Sequence, residues 1–278
     1  PMRILISADM EGATGVTLPA DCEPGAPEWQ RCRPLFTSDV NAAIAGFYDG
    51  GASEVLVNEA HSTMRNLLLE ELDERATMIT GRHKELTMVE GIQRGTVDGV
   101  AFLGYHTAAG TEGVLSHTYI PGSLTRGSVN GQVGSEGLLN AHVAAEYGVP
   151  VVLVTGDDRT CADAVHYAPQ ARTVAVKDYV ARYTAECRPP ARTRAQIRRA
   201  AAEAIALAGH REPAPAGPFT VEIETDATQL AEAAAMVPTV RRTGERSATF
   251  TAATAYDMIR CFKAVCTLVS AATERQYG

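Results

Sequence analysis

The sequence predicts an α/β fold, a mostly parallel sheet with helices on both faces, followed by a small C-terminal α+β subdomain. Three observations predict it. Short Val/Leu/Ile-rich runs recur at residues 4–8, 54–58, 99–103 and 151–155, and they are continuous rather than alternating, as in strands buried on both faces of a parallel sheet. Helical periodicity fills the intervals between them. The runs also end abruptly in carboxylates, glycines or histidines, residues suited to the ligand crevice beyond the carboxyl ends of such strands.

Taken in order, the first run is followed by a loop over 17–33 rich in Pro, Gly and Cys, placed to wall the pocket. Trp29, the only tryptophan, reads as a packing anchor there. A helix with Thr37 or Ser38 as N-cap carries Val40, Ala43, Ile44 and Phe47 at helical spacing and stops near Gly50-Gly51. The second strand completes a βαβ unit. Residues 67–72, 78–79 and 88–92 fill the interval to the third strand, with a helix over 87–94. Beyond His106, residues 114–120 and 128–133 read as two short strands, the second interrupted by the turn signal Asn130-Gly131. A helix from Ser135-Glu136 to Tyr147-Gly148 puts Glu136 in its first turn, where the helix dipole favours a carboxylate.

The fourth strand leads through Gly156-Asp157-Asp158 to a short helix ending at Pro169, and residues 173–177 resemble a fifth strand. Pro189-Pro190 opens an Ala- and Arg-rich helix that reaches Gly209, after which Pro213, Pro215 and Pro218 mark a linker. The remainder reads as strand (219–223), helix (227–236), strand (Val240, then 247–251) and helix (253–273). The expected division is a catalytic α/β domain over 1–212 and an α+β subdomain over 213–278, with no evident chemistry of its own and suited to oligomerisation.

A chain of 278 residues buries enough surface to need no staples. Its net charge of -8 argues against a phosphate-backbone partner, which relies on dense Lys/Arg patches; the basic cluster at Arg188–Arg199 reads as a solvated helix face. Six cysteines without a CxxC pair indicate neither a zinc ribbon nor a disulfide framework. With no charged-then-apolar leader and no apolar run of about 18 residues, the expectation is a cytoplasmic protein without a membrane partner. A nucleophile elbow, a P-loop and a Gly-x-Gly-x-x-Gly after the first strand are all missing.

Asp9, Glu11, His61 and His106 are the strand-end residues expected to converge. Divalent ions such as zinc take histidine nitrogen and carboxylate oxygen, and a shared carboxylate would let such a set hold two ions, as in two-metal hydrolases. Asp9 is the natural bridge, the first polar residue off the central strand; Glu11 points the same way because side chains alternate, and Gly12 allows a sharp turn. Singly, each of these residues is equally a cap or a solvated turn residue. Asp157 and Asp158 read either as outer partners of the site or as an ordinary helix cap. His117, between Leu115 and Tyr119 in a predicted hairpin, reads either as a proton-transfer residue or as a buried, hydrogen-bonded histidine. His83, His142, His166 and His210 read as surface or packing residues.

At these residues the sequence resembles the M55 metallopeptidase family, the DppA-like D-aminopeptidases. The resemblance is carried by Ser7-Ala8-Asp9-Met10-Glu11-Gly12, Val57-Asn58-Glu59-Ala60-His61-Ser62, Met88-Val89-Glu90-Gly91, Phe102-Leu103-Gly104-Tyr105-His106, Leu115-Ser116-His117-Thr118, Glu136 with Asn140-Ala141, and Val154-Thr155-Gly156-Asp157-Asp158-Arg159. Each motif is weak alone; as an ordered set over the first two-thirds of the chain they are specific. The resemblance implies two Zn2+ per subunit held by Asp9, Glu11, His61, His106 and Glu136, His117 as the catalytic histidine, and a homo-oligomeric ring, a decamer of two stacked pentamers. Two departures stand out: Glu59 replaces a frequent Asp, and Gly134-Ser135-Glu136-Gly137 is one residue out of step.

The expected function is therefore a zinc aminopeptidase that removes the N-terminal residue, of D configuration, from di- or tripeptides. Its activity should fall on acidification, because ligand histidines must be neutral to bind metal. Two alternatives remain at this level: a di-metal amidohydrolase acting on non-peptide amides, and a non-catalytic small-molecule binding protein.

Overall fold

The computed structural model describes residues 1–276. The first strand, β1 (Arg3–Ala8), is buried on both sides: Ile4, Ile6 and Ala8 pack into one core cluster and Leu5 into the other, as alternation along a strand requires. A one-turn helix, α1 (Pro19–Cys22), precedes α2 (Pro27–Asp49). This second helix begins well before the expected cap at Thr37 or Ser38. Pro27 sits at its first turn, where a missing N–H costs nothing, and Pro34 is accommodated inside. Thr37 is interior, its hydroxyl donating to the Arg33 carbonyl.

Next come β2 (Glu54–Glu59), the short β3 (Thr77–Ile79) and β4 (Gly99–Leu103). The helix expected over 87–94 shrinks to one 3₁₀ turn at Thr87–Val89, which opens on Thr87 at φ 51° and is followed by Gly91 at φ 106°. The strand expected over 114–120 is instead an irregular loop with Leu115 and Tyr119 both at φ 56°, a conformation no ladder tolerates. Asn130-Gly131 does turn a hairpin, between β5 (Leu124–Val129) and β6 (Gln132–Val133), and both residues have positive φ, the geometry tight hairpins favour.

Helix α3 (Glu136–Glu146) follows, capped by the Ser135 hydroxyl on the Leu138 N–H. Then come β7 (Val151–Asp157), α4 (Asp158–Tyr167), β8 (Arg172–Ala181) and β9 (Thr184–Cys187). The fifth strand thus runs past residue 177 and folds back as an antiparallel hairpin. Helix α5 (Pro190–Ala204) opens on Pro190. The tail contains β10 (Phe219–Thr225), α6 (Thr228–Ala234), β11 (Arg241–Arg242), β12 (Ser247–Ala252) and α7 (Ala255–Ala272).

Seven strands form the main sheet in the order β3-β2-β1-β4-β7-β8-β9, parallel except for the β8–β9 pair. Helices α2 and α5 pack on one face; α3, residues 86–92 and the second sheet cover the other. That second sheet, β11-β12-β10-β5-β6, draws β5 and β6 from before residue 212 and the rest from the tail, so one hydrophobic cluster spans the expected boundary. Because β1 lies between β2 and β4, the chain reverses direction across the sheet there, the place where a crevice opens at strand carboxyl ends.

Candidate metal centre

Asp9 follows β1, His61 follows β2 and His106 follows β4, so three adjacent parallel strands deliver their ends to one place. Two close backbone approaches make this possible. The Asp9 N–H donates to the Leu103 carbonyl at 2.8 Å and the Gly12 N–H to the Gly104 carbonyl at 2.7 Å. A Cβ on Gly12 would collide with the Tyr105 carbonyl, and one on Gly104, which has φ +69°, with the Asp9 carbonyl. Glycine at both positions lets the turn after β1 nest against the end of β4. The same turn is held from below by Lys177, a fully buried residue of β8 whose ammonium donates to the carbonyls of Glu11, Ala13 and Val16. Burial pulls the Lys177 ammonium below its ordinary range.

All six residues singled out from the sequence meet. His61 Nδ1 lies 3.3 Å from Asp9 Oδ1 and 3.0 Å from Glu11 Oε2. His106 Nε2 lies 3.3 Å from Asp9 Oδ2 and 3.2 Å from Glu136 Oε2. His117 Nε2 sits farther off, 3.6 Å from Glu11 Oε1 and 3.7 Å from Glu136 Oε1, and its ring stacks on His106 with centroids 4.0 Å apart. Glu136 reaches the cluster from the first turn of α3, with Oε1 accepting the Tyr119 N–H at 2.7 Å.

Each histidine spends one ring nitrogen on the backbone: His61 Nε2 on the Cys22 carbonyl, His106 Nδ1 on the Thr107 carbonyl and His117 Nδ1 on the Leu115 carbonyl. A carbonyl can only accept, so the proton of the neutral ring is committed there and a lone pair faces the carboxylates. Lone pairs facing carboxylates repel unless a proton or a cation lies between. Asp9 Oδ2, Glu11 Oε2 and His106 Nε2 are indeed buried without a hydrogen-bond partner, and among the described residues no Lys or Arg forms an ion pair with Asp9, Glu11 or Glu136. Three buried carboxylates without cationic side chains are costly. Imidazole nitrogen and carboxylate oxygen are the donors that zinc accepts, so the residues fit divalent cations.

The electrostatics agree. Burial and the Glu11 charge push the Asp9 carboxyl up to about 6. At His61 and His106 burial acts downward, yet Glu11 and Glu136 respectively outweigh it and hold both imidazoles well above their ordinary value. Without metal, the acids draw protons onto these rings; a cation displaces those protons. His117 is held below its ordinary value by burial and by His106.

The comparisons bear on this geometry directly. A family model described as D-aminopeptidase, peptidase family M55, matches residues 2–264. The chain belongs to the M55 D-aminopeptidase family. A D-aminopeptidase of Bacillus subtilis (strain 168) is 40% identical over 191 residues, 69% of this chain and 69% of that protein. A solved structure, the Zn-dependent D-aminopeptidase DppA from Bacillus subtilis, a self-compartmentalizing protease, matches with a TM-score of 0.91 at 33% identity, covering 97% of this chain and 98% of that one.

In this M55 metallo-aminopeptidase the remaining motif residues hold the frame. Glu59 accepts the N–H groups of Asn66 and Leu67, fixing the loop after His61. Asn140 donates to the Tyr105 hydroxyl, which also bonds Ser7. Asp157 caps α4 through the Thr160 N–H and also accepts the Val114 N–H at 2.7 Å, anchoring the loop that carries His117. Asp158 accepts the Tyr179 N–H. Neither aspartate joins the metal cluster. Residues without a sequence signal also emerge: Lys177 under the turn, and Cys22, whose thiol can approach Glu11 and His61 closely enough to share an ion, although burial pushes that thiol well above its ordinary range.

Proposed function

We propose that this M55 enzyme is a zinc-dependent D-aminopeptidase acting on di- and tripeptides, with Asp9, Glu11, His61, His106 and Glu136 holding two zinc ions per subunit. The observation that carries the reading is the Asp9 carboxylate, whose two oxygens face two different histidines at 3.3 Å each. A carboxylate so placed would offer one oxygen to each of two ions. Asp9, His61 and Glu11 would then hold one ion, and Asp9, His106 and Glu136 the other. Zinc is the metal named for the solved relative.

When bound, the ion pair would supply Lewis acidity for the scissile carbonyl and a water whose pKa falls to about 7. The chain's own groups do the rest. His117 has its Nδ1–H engaged by the Leu115 carbonyl, so Nε2 is free to accept a proton from the attacking water and hand it to the departing amine. Its lowered pKa keeps it a proton acceptor at neutral pH. A cavity of about 400 Å³, walled by Met88, Leu115, Tyr119 and Pro19 beside the carboxylates, suits a short peptide. The self-compartmentalizing relative supports a homo-oligomeric ring, taken here as a decamer, and a cytoplasmic setting fits six unpaired cysteines.

Metal analysis together with hydrolysis of D-Ala-D-Ala, L-Ala-L-Ala and an acylated amine tests the proposal. The expected result is about two zinc ions per chain, chelator-sensitive release of D-alanine, and little turnover of the other substrates. Fewer than one zinc per chain, with no activity recovered on adding zinc, would overturn it. Light scattering on a sizing column measures the ring.

A further inference from the structure

We propose that Arg182 binds the C-terminal carboxylate of the peptide substrate and thereby selects short peptides with a free acid end. The inference rests on the aminopeptidase reading above. Arg182 and Tyr183 form the tip of the hairpin between β8 and β9, and that tip is pinned to the residues just before His117. The Arg182 guanidinium donates to the Ser116 carbonyl at 2.9 Å, and the Arg182 carbonyl accepts the Leu115 N–H at 2.8 Å. A guanidinium is thus held within one residue of the proposed catalytic histidine and lines the same cavity.

Two features single it out. Among the described residues Arg182 is the only Lys or Arg that lines this cavity, beside the acids Asp9, Glu11, Glu23 and Glu136. Among the described residues Arg182 has no carboxylate partner, whereas Arg75, Arg188 and Arg198 all have one. Of its five N–H donors, one serves Ser116 and the guanidinium rests over Tyr183 at 5.6 Å, which leaves donors for an incoming anion.

A dipeptide supplies that anion. Successive Cα atoms lie about 3.8 Å apart, so its carboxylate follows the scissile carbonyl by a single residue and stays within the cavity that Arg182 and His117 both line. With Asp9, Glu11 and Glu136 given to the proposed zinc ions, Arg182 is the cationic side chain of this cavity left to receive the far end of the substrate. The planar fork of arginine takes a carboxylate bidentately, which lysine does not.

The test compares D-Ala-D-Ala with its C-terminal amide on the zinc-loaded wild type, Arg182→Ala and Arg182→Lys. The wild type should prefer the free acid. Arg182→Ala should raise KM for the free acid by about 10-fold or more, the loss of a charge-assisted hydrogen bond, with kcat nearly unchanged, as removal of ground-state binding requires. Its KM for the amide should stay near the wild-type value, and Arg182→Lys should fall between. Equal loss on both substrates, or a kcat effect shared by both, would make Arg182 merely a brace for the His117 loop and overturn the proposal. So would unchanged kinetics on both. A zinc-loaded wild type inactive on acid and amide alike would instead overturn the aminopeptidase reading.

Discussion

At the scale of single residues, the two histidines proposed as zinc ligands and His117 differ in what faces them. His61 and His106 each lie 3.3 Å or less from two carboxylates, whereas His117 stays 3.6 Å or more from its nearest acids. Replacing His117 with Ala should therefore cost about 10²–10⁴-fold in kcat, the usual range for a general acid–base group, while zinc content stays at the wild-type level. A loss of zinc in this variant would move His117 into the ligand set. Away from the metals, Asp39 is buried and accepts both the Thr14 N–H and the Thr14 hydroxyl. Burial raises its carboxyl to about 6, above an unfolded value of about 3.9. Between those values the folded state keeps a proton that the unfolded chain has lost, so the contribution of Asp39 to stability is full below about 3.9 and is lost as pH rises through about 6. In chelator, thermal melts at pH 4.5 and 6.5 should show a smaller drop for Asp39→Asn than for wild type. An equal drop would refute the assignment.

At the scale of elements, the turn from Asp9 to Val16 is the piece on which the site depends, and it has no regular structure of its own. It is fixed by β4 through Gly104 and by β8 through Lys177. Lys177→Met keeps the length of the side chain but leaves three buried carbonyls without their donor. At about 1–3 kcal/mol for each unsatisfied group, the variant should lose about 3 kcal/mol or more, read as a lower melting temperature and weaker zinc retention against a competing chelator. Retained zinc affinity would show that β1 and β4 hold Asp9 and Glu11 unaided. The loop of His117 is fastened in the same manner, by Asp157 at Val114 and by the Arg182 hairpin tip at Leu115.

At the scale of the whole molecule, the second sheet is a support for the centre rather than an appendage. Phe262 of α7 is 2% exposed and packs edge-on against Tyr119, ring centroids 5.1 Å apart; the Tyr119 N–H in turn orients Glu136. A core built partly from residues 219–269 thus backs a pocket whose proposed metal donors all lie before residue 137. Truncating Phe262 to Ala should cost about 3–5 kcal/mol and, unlike a remote core cavity, should also weaken zinc binding through Tyr119 and Glu136. Denaturant titration and a zinc competition assay on the same variant measure both effects; a stability loss with zinc affinity intact would sever that link.

What the sequence by itself determined is the parallel sheet and the ends of its strands. Continuous apolar runs stopping at Asp9, His61 and His106 are local signals, and a parallel sheet carries strand ends to one edge whatever lies between them. Glu136 was reachable only through motif order, because a carboxylate in the first turn of a helix looks the same whether it caps or ligates. What only the tertiary structure decided lies in the connections. Thr87, Leu115 and Tyr119 hold left-handed backbones that nothing in their residue types announces, since packing around the pocket imposes them. The early start of α2, the β8–β9 hairpin, the placement of Lys177 and the reach of Arg182 toward His117 have the same origin: each follows from contacts between segments tens of residues apart, and a local pattern cannot encode them.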